Sequence, residues 1–179
     1  MLKPDKHGAF NANASPGAVG TVEPQNFSAH IEPQSCLDLG MTVAWSTIAW
    51  WLQQPEAARM EMVRADTAMH LAEALIVLKR WLEAVSGGNS KELFVWGHGA
   101  TFDISLLEDA YRRCKLPVPW HYRNVRDLRT LRALAPPDLV LTAPSAEGNL
   151  HVAVDDAIMQ AAWITQCTAA LRSGQSPVN

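Results

Sequence analysis

The clearest periodicity in the chain lies between residues 71 and 85. There Leu71, Ala74, Leu75, Leu78, Trp81, Leu82 and Val85 recur at three- and four-residue steps, the spacing of a single apolar helical face. Gly87-Gly88 closes that helix. Upstream, Phe27-Ser28-Ala29-His30-Ile31 alternates apolar and polar side chains as an exposed strand does, and Pro33 ends it. Ser46-Thr47 ahead of Ile48-Ala49-Trp50-Trp51-Leu52 predicts a short helix with Ser46 as its N-cap. Pro55-Glu56 predicts a further helix start. Leu93-Phe94-Val95-Trp96, a short apolar run between turn signals, predicts a buried strand. It leads through Gly97-His98-Gly99 into a helix whose inner face carries Leu107, Ala110, Tyr111 and Cys114. Residues 125–134 fit a strand or a helix, and Leu128, Leu131 and Leu134 favour some helix. Pro136 to Gly148 reads as loop. The last helix is expected over 153–171, with Ala157, Ile158, Ala161, Ile164 and Thr168 near one face.

Strands alternating with helices predict one mixed α/β domain over 21–172. Residues 1–20, rich in Gly, Ala, Asn, Pro and Ser without a period, form an irregular leading segment, and 173–179 a disordered tail. Composition agrees: 179 residues with 48% hydrophobic and 18% charged side chains suit a single folded domain rather than a disordered chain. No apolar run approaches the ~20 residues a bilayer requires, and Met1-Leu2-Lys3-Pro4-Asp5-Lys6 carries no secretory h-region. Cys36, Cys114 and Cys167 are scattered, which predicts reduced thiols and a cytoplasmic protein away from membranes. A formal net charge of −3 argues against a basic coat for nucleic acid. It leaves room for a nuclease, because divalent cations held by carboxylates can meet a phosphate instead.

Two segments carry chemistry. In Phe94-Val95-Trp96-Gly97-His98-Gly99-Ala100-Thr101-Phe102-Asp103, a strand enters a two-glycine turn and a carboxylate follows at a helix start. Glycines there let backbone approach a substrate, while the carboxylate alone would equally serve the exposed N–H groups of the helix. Phe102 fits the core better than a base-stacking surface. In His151-Val152-Ala153-Val154-Asp155-Asp156, a histidine precedes an acid by five positions at a loop-to-helix junction. An imidazole so placed can act as general base at neutral pH, although a solvated histidine before two capping aspartates fits the same spacing. Asp155 is the expected capping or solvated member.

Taken together, Gly97-His98-Gly99-Ala100-Thr101-Phe102-Asp103, then Arg126-Asp127-Leu128-Arg129-Thr130, then His151 with Asp156, resemble the DEDDh group of 3′–5′ exonucleases. Within it, the chain looks like the phage-associated exoribonuclease-like domain, and residues 46–54 resemble that domain's helix. The resemblance spans about Gly20 to Ala169. It implies a ribonuclease H-like mixed sheet flanked by helices, and a two-metal phosphodiesterase using Mg²⁺ or Mn²⁺ on the ends of single-stranded RNA or DNA. It makes Asp103 and Asp156 metal-binding acids and His151 the base. Asp127 is assigned to structure or positioning. Arg123, Arg126, Arg129 and Arg132 either contact substrate phosphates or solvate a surface.

The chain departs from this pattern at its N-terminal strand, which is degenerate or missing. Where the family places Asp-x-Glu, this sequence reads Lys3-Pro4-Asp5, with Asp5 as the candidate metal ligand, Glu23 as a more distant one, and Pro4 unable to donate in a central strand. Two divalent cations carry twice the charge that Asp103 and Asp156 neutralise. A lysine ammonium beside them adds repulsion of about 4 kcal/mol at roughly 4 Å and an effective dielectric near 20. The second metal is therefore expected to bind weakly. The alternative function is a catalytically inactive exonuclease-like domain that binds nucleic acid or a protein partner. Trp50 and Trp51 are expected in the core, with a homo-oligomer interface as their alternative use.

Overall fold

In the computed structural model, residues 26–89, 91–143 and 152–173 are described. Helix α1 (Pro33–Asp38) begins at Pro33, which sits in its first turn where no intrahelical N–H is needed. Pro33 thus opens an element rather than closing a strand. Of residues 27–31, only Ile31 makes a strand-like contact, a parallel bridge to Met69. Helix α2 (Trp45–Trp51) starts one residue ahead of Ser46, so Ala44 occupies the cap position with no side-chain bond. No residue of α2 is buried, and Trp45 is 75% exposed. Trp50 and Trp51 pack edge-to-face on each other, 5.1 Å between centroids, rather than into the core. Helix α3 (Glu56–Met62) follows Pro55 as the sequence predicts.

Helix α4 (Leu71–Val85) matches its periodicity, burying Leu71, Ala72, Ala74, Leu75, Ile76 and Leu82. His70 caps it, Nδ1 accepting from Ala72 N at 3.2 Å. Gly87 and Gly88 adopt φ of +60° and +78°, left-handed values that release the chain from the helix end. Strand β1 (Val95–Gly97) lies two residues later than the apolar run alone indicates. It pairs in parallel with β2 (Val125–Asp127), in the register Val95↔Val125, Trp96↔Arg126, Gly97↔Asp127. Among the described residues the sheet consists of these two strands. Each runs straight into a helix, β1 into α5 (Ala100–Arg113) and β2 into α6 (Leu128–Leu134). Residues 125–134 therefore hold a strand and then a helix, which explains why neither period fits the whole segment.

The core forms where α4 meets α5. Leu71, Leu75 and Leu82 pack with Ile104, Tyr111 and Trp120, and Val95 and Val125 close the sheet side. Tyr111 is fully buried and its hydroxyl donates to Leu75 O at 3.0 Å, so burial raises its pKa without orphaning the O–H. Cys114 is buried and Cys36 half-buried, both as free thiols; desolvation pushes Cys114 up to about 11. Ser35, also buried, donates to Glu32 O and accepts from Leu71 N, which ties α1 to the start of α4.

The long last helix, α7 (Ala153–Ser173), packs against α6 through a face other than the expected one. Cys167 is its fully buried residue, while Ala157, Ile158 and Ala161 are exposed. Small side chains at positions 157, 161 and 162 present similar apolar character all round, so periodicity could not choose a face. Trp163 and the Gln166 amide choose it. Gln166 Oε1 accepts from Thr142 N (3.0 Å) and its Nε2 donates to Thr142 O (2.9 Å), clamping the incoming loop to the helix.

Candidate active site

Parallel strands that feed helices direct their carboxyl ends, and the N-termini of those helices, to one edge of a sheet. In open α/β structures that edge is where ligands bind. Here it comprises Gly97-His98-Gly99 after β1 and Asp127 at the end of β2. Gly99 caps α5 at φ +114°, ψ +65°, a conformation that excludes other residues without strain. A Cβ there would also stand 3.3 Å from Arg129 Cζ, so Arg129 lays its guanidinium against bare backbone.

Asp127 holds this edge together. One carboxylate oxygen accepts from Gly99 N at 3.1 Å and from Ala100 N at 2.7 Å, at the start of α5. The other accepts from Thr130 N at 2.9 Å and Thr130 Oγ1 at 3.1 Å, at the start of α6. One side chain thus caps two helices and links strands that are distant in sequence. Donation from Ala100 N first, then Thr130 N, lowers the Asp127 pKa to about 2.

Asp103 lies in the first turn of α5, exposed. Its Oδ2 lies 3.1 Å from where a Cβ on Gly97 would stand and Ala100 Cα 3.0 Å, so glycine there lets the carboxylate and the first turn of α5 pack closely on the end of β1. No lysine or arginine among the described residues neutralises it. Asp156 lies in the first turn of α7, half-buried, its N donating to Val152 O at 3.0 Å. Seven residues on, two helical turns later and on the same face, Trp163 meets the His98 ring edge-to-face with centroids 6.2 Å apart. Trp163 also receives Arg132, whose Cζ is 4.9 Å from the ring centroid. The face of α7 that carries Asp156 is therefore the face docked on the turn after β1. His151, Asp5 and Glu23 lie outside the described residues.

Three features of this edge escaped the sequence reading. Trp163 had a signal, its seven-residue spacing from Asp156, which the small residues of α7 obscured. Phe102 is 68% exposed rather than in the core. The double capping by Asp127 had no local signal, because its partners Gly99 and Ala100 lie more than a full helix away in the chain.

Among the described residues no three His, Cys, Asp or Glu side chains gather as a metal-binding group. A family model described as the 3′–5′ exoribonuclease Rv2179c-like domain matches residues 8–168. The chain belongs to that family. No curated protein and no solved structure matches it at a significant level. As an Rv2179c-like domain the chain is of the exoribonuclease class, and the matched span takes in Asp103, Asp127, His151 and Asp156 but starts after Asp5. Among the described residues, no helix is long and apolar enough to cross a membrane.

Proposed function

We propose that this Rv2179c-like domain is a DEDDh-type, metal-dependent 3′–5′ exonuclease of single-stranded ends, built on a ribonuclease H-like core. The observation that carries the reading is the edge at Gly97. It presents an exposed Asp103 carboxylate that no lysine or arginine among the described residues pairs with, and its His98 meets Trp163 on the side of α7 that bears Asp156. Carboxylate oxygens are the donors that Mg²⁺ and Mn²⁺ take, and Asp103 with Asp156 would hold the cation. Such an ion would supply charge for the scissile phosphate and acidity for the attacking water. His151 is the general base that takes the water's proton. Asp127 fixes the turn, and its depressed pKa keeps it ionised and capping throughout the neutral range. Arg129, seated on Gly99, is a cation positioned to receive a phosphate on this edge. Asp5 is a remaining candidate acid. A single well-held cation, with a second bound weakly, matches the charge that Asp103 and Asp156 provide.

The test is incubation of end-labelled single-stranded RNA and DNA with Mg²⁺ or Mn²⁺. Stepwise shortening from the 3′ end is expected, reduced at least about a hundredfold in Asp103→Asn and Asp156→Asn, as for other loss of transition-state charge stabilisation. Intact strand binding without any metal-dependent product would overturn the catalytic reading and leave the inactive, strand-binding alternative.

A further inference from the structure

A second cluster of aromatic and basic groups lies at the opposite, amino-terminal ends of β1 and β2. Arg126 places its guanidinium over the Phe94 ring, 4.7 Å from the centroid. Its Nη1 is anchored by donating to Arg123 O (2.7 Å) and Val125 O (3.0 Å). Arg123 in turn lies over Tyr122, 5.6 Å from the centroid, with Nε donating to the phenol oxygen at 3.0 Å. The His121 ring stacks on the other neighbour, 4.5 Å from Tyr122. The rings are not core: Tyr122 is 70% exposed and Phe94 50%.

The charges here differ from those elsewhere on the surface. Arg112 and Arg113 are both spent on Asp109, at 2.7 and 2.5 Å. Among the described residues neither Arg123 nor Arg126 pairs with a carboxylate, and what holds each is backbone or an aromatic ring. Guanidiniums held rigid beside exposed rings, with their charge unspent, suit a ligand offering both anionic groups and flat faces. Single-stranded nucleic acid offers both along its length.

Position supports the same ligand. Phe94 and Trp96 alternate with core-facing Val95, and Trp96 pairs with Arg126, so these side chains share the outer face of the sheet. His98, the next alternate residue, meets Trp163 of α7. Cations run from Arg123 just before β2, through Arg126 within it, to Arg129 in α6, which lies against Gly99 at the carboxyl edge. Phe94 precedes Gly97 by three residues, about 10 Å of strand.

Resting on the exonuclease reading above, we propose that this strip is the track for the nucleotides upstream of the 3′ end. Bases stack on Phe94 and Tyr122, while phosphates meet Arg123 and Arg126. The strip makes the enzyme select ends that carry an unpaired tail. A duplex end, its bases already stacked, cannot use it.

The experiment measures binding by fluorescence anisotropy with excess EDTA, so that affinity is read apart from cleavage. The probes are a dinucleotide, a single strand of about ten nucleotides and the corresponding duplex. Wild type is expected to bind the long strand more tightly than the other two. Phe94→Ala and Tyr122→Ala should each weaken the long strand about tenfold and leave the dinucleotide unchanged. Tyr122→Phe, which keeps the ring but loses the oxygen that accepts from Arg123, should recover most of the affinity that Tyr122→Ala loses. Arg123→Gln should flatten the dependence of affinity on salt. Thermal melting identifies any variant that fails to fold, and the Tyr122 pair, at a solvent-exposed position, decides the matter if Phe94→Ala does. Wild-type affinity in the alanine variants overturns the track. So does equal loss for an acidic peptide, which would assign the strip to a protein partner. Hydrolysis that ignores strand length, with binding unaffected, sinks the track and spares the nuclease. Length-dependent binding lost in Tyr122→Ala, without hydrolysis in any buffer, keeps the track and sinks the nuclease.

Discussion

Asp103 and Asp156 are carried by helices that different kinds of structure hold in place. Asp103 rides on α5, whose first turn is fixed by backbone: a parallel strand, a left-handed glycine and two N–H groups held by Asp127. Asp156 rides on α7, which is placed by side chains, with Trp163 on His98 and Gln166 on Thr142. Backbone bonds at a strand-to-helix turn leave little rotational freedom, because two dihedrals per residue are already fixed. A long helix held by a tryptophan and an amide can roll or slide at modest cost. The two acids should therefore respond to perturbation unequally, with α5 failing as a unit and α7 shifting.

The sharpest way to break the contrast is at Asp127. Asp127→Ala removes charge-assisted caps from α5 and α6 at once, and should cost about 2–4 kcal/mol of folding stability. Chemical denaturation checks it; a loss under about 1 kcal/mol would mean that the strand pairing alone holds the turn. Trp163→Ala is the matching lesion on α7. It should cost about 2 kcal/mol, since the ring is only half-buried and its full loss would cost more. Activity should fall further than stability does, because Asp156 loses its register on His98. Trp163→Phe, which preserves an edge-to-face partner, should recover most of both.

How far the sequence disclosed these two regions follows the same division. Helices α4 and α5 were legible because their apolar positions repeat at helical spacing and a glycine pair or a glycine turn bounds each one. The turn at Gly97-His98-Gly99 and the acid at Asp103 were legible for the same local reasons. The inward face of α7 was not, since Ala157, Ala161 and Ala162 look as apolar as the residues that do pack. Nor was the exposure of α2: a helix without charge reads as buried, yet its burial depends on what lies against it in space. The strand at residues 27–31 reduced to one bridge, at Ile31, because a two-residue period predicts a strand only where a partner exists to pair with. The double role of Asp127 joins residues 27 and 28 positions apart, which no local pattern encodes.

A smaller change tests the placement of Asp103 against β1. Gly97 has an ordinary backbone conformation, so alanine there introduces no left-handed strain; its Cβ would stand 3.0 Å from Ala100 Cα and 3.1 Å from Asp103 Oδ2. Gly97→Ala should therefore displace the Asp103 carboxylate and lower turnover about tenfold, or roughly 1.4 kcal/mol of barrier. Apparent affinity for Mg²⁺ should fall in parallel, while the affinity for a long single strand in EDTA stays as in wild type. A variant with wild-type turnover would show that the close packing of Asp103 against Gly97 is not needed for catalysis.

The smallest expected effect is the acid limb of stability, and it isolates Asp127 without removing an atom from the turn. The Ala100 and Thr130 N–H donors hold its carboxyl down to about 2 in the folded protein, against about 3.9 for an unperturbed aspartate. A depressed folded pKa means that the contribution is complete above the unfolded value and is lost as pH falls through the folded one. The window is thus from about pH 4 down to about pH 2. Screening at this largely solvated group limits the loss to on the order of 1 kcal/mol, below what the full shift would imply. Asp127→Asn should be less stable at neutral pH and should flatten this limb, so the difference between the two proteins narrows as pH drops. Helix α7 has no equivalent linkage through the Gln166 amide, which does not titrate. Acid should therefore loosen the α5 and α6 caps before it disturbs the clamp at Thr142, and amide exchange at Gly99 and Ala100 should rise ahead of that at Thr142. The reverse order would mean that α7, not the strand-to-helix turn, is the better-anchored half of the site.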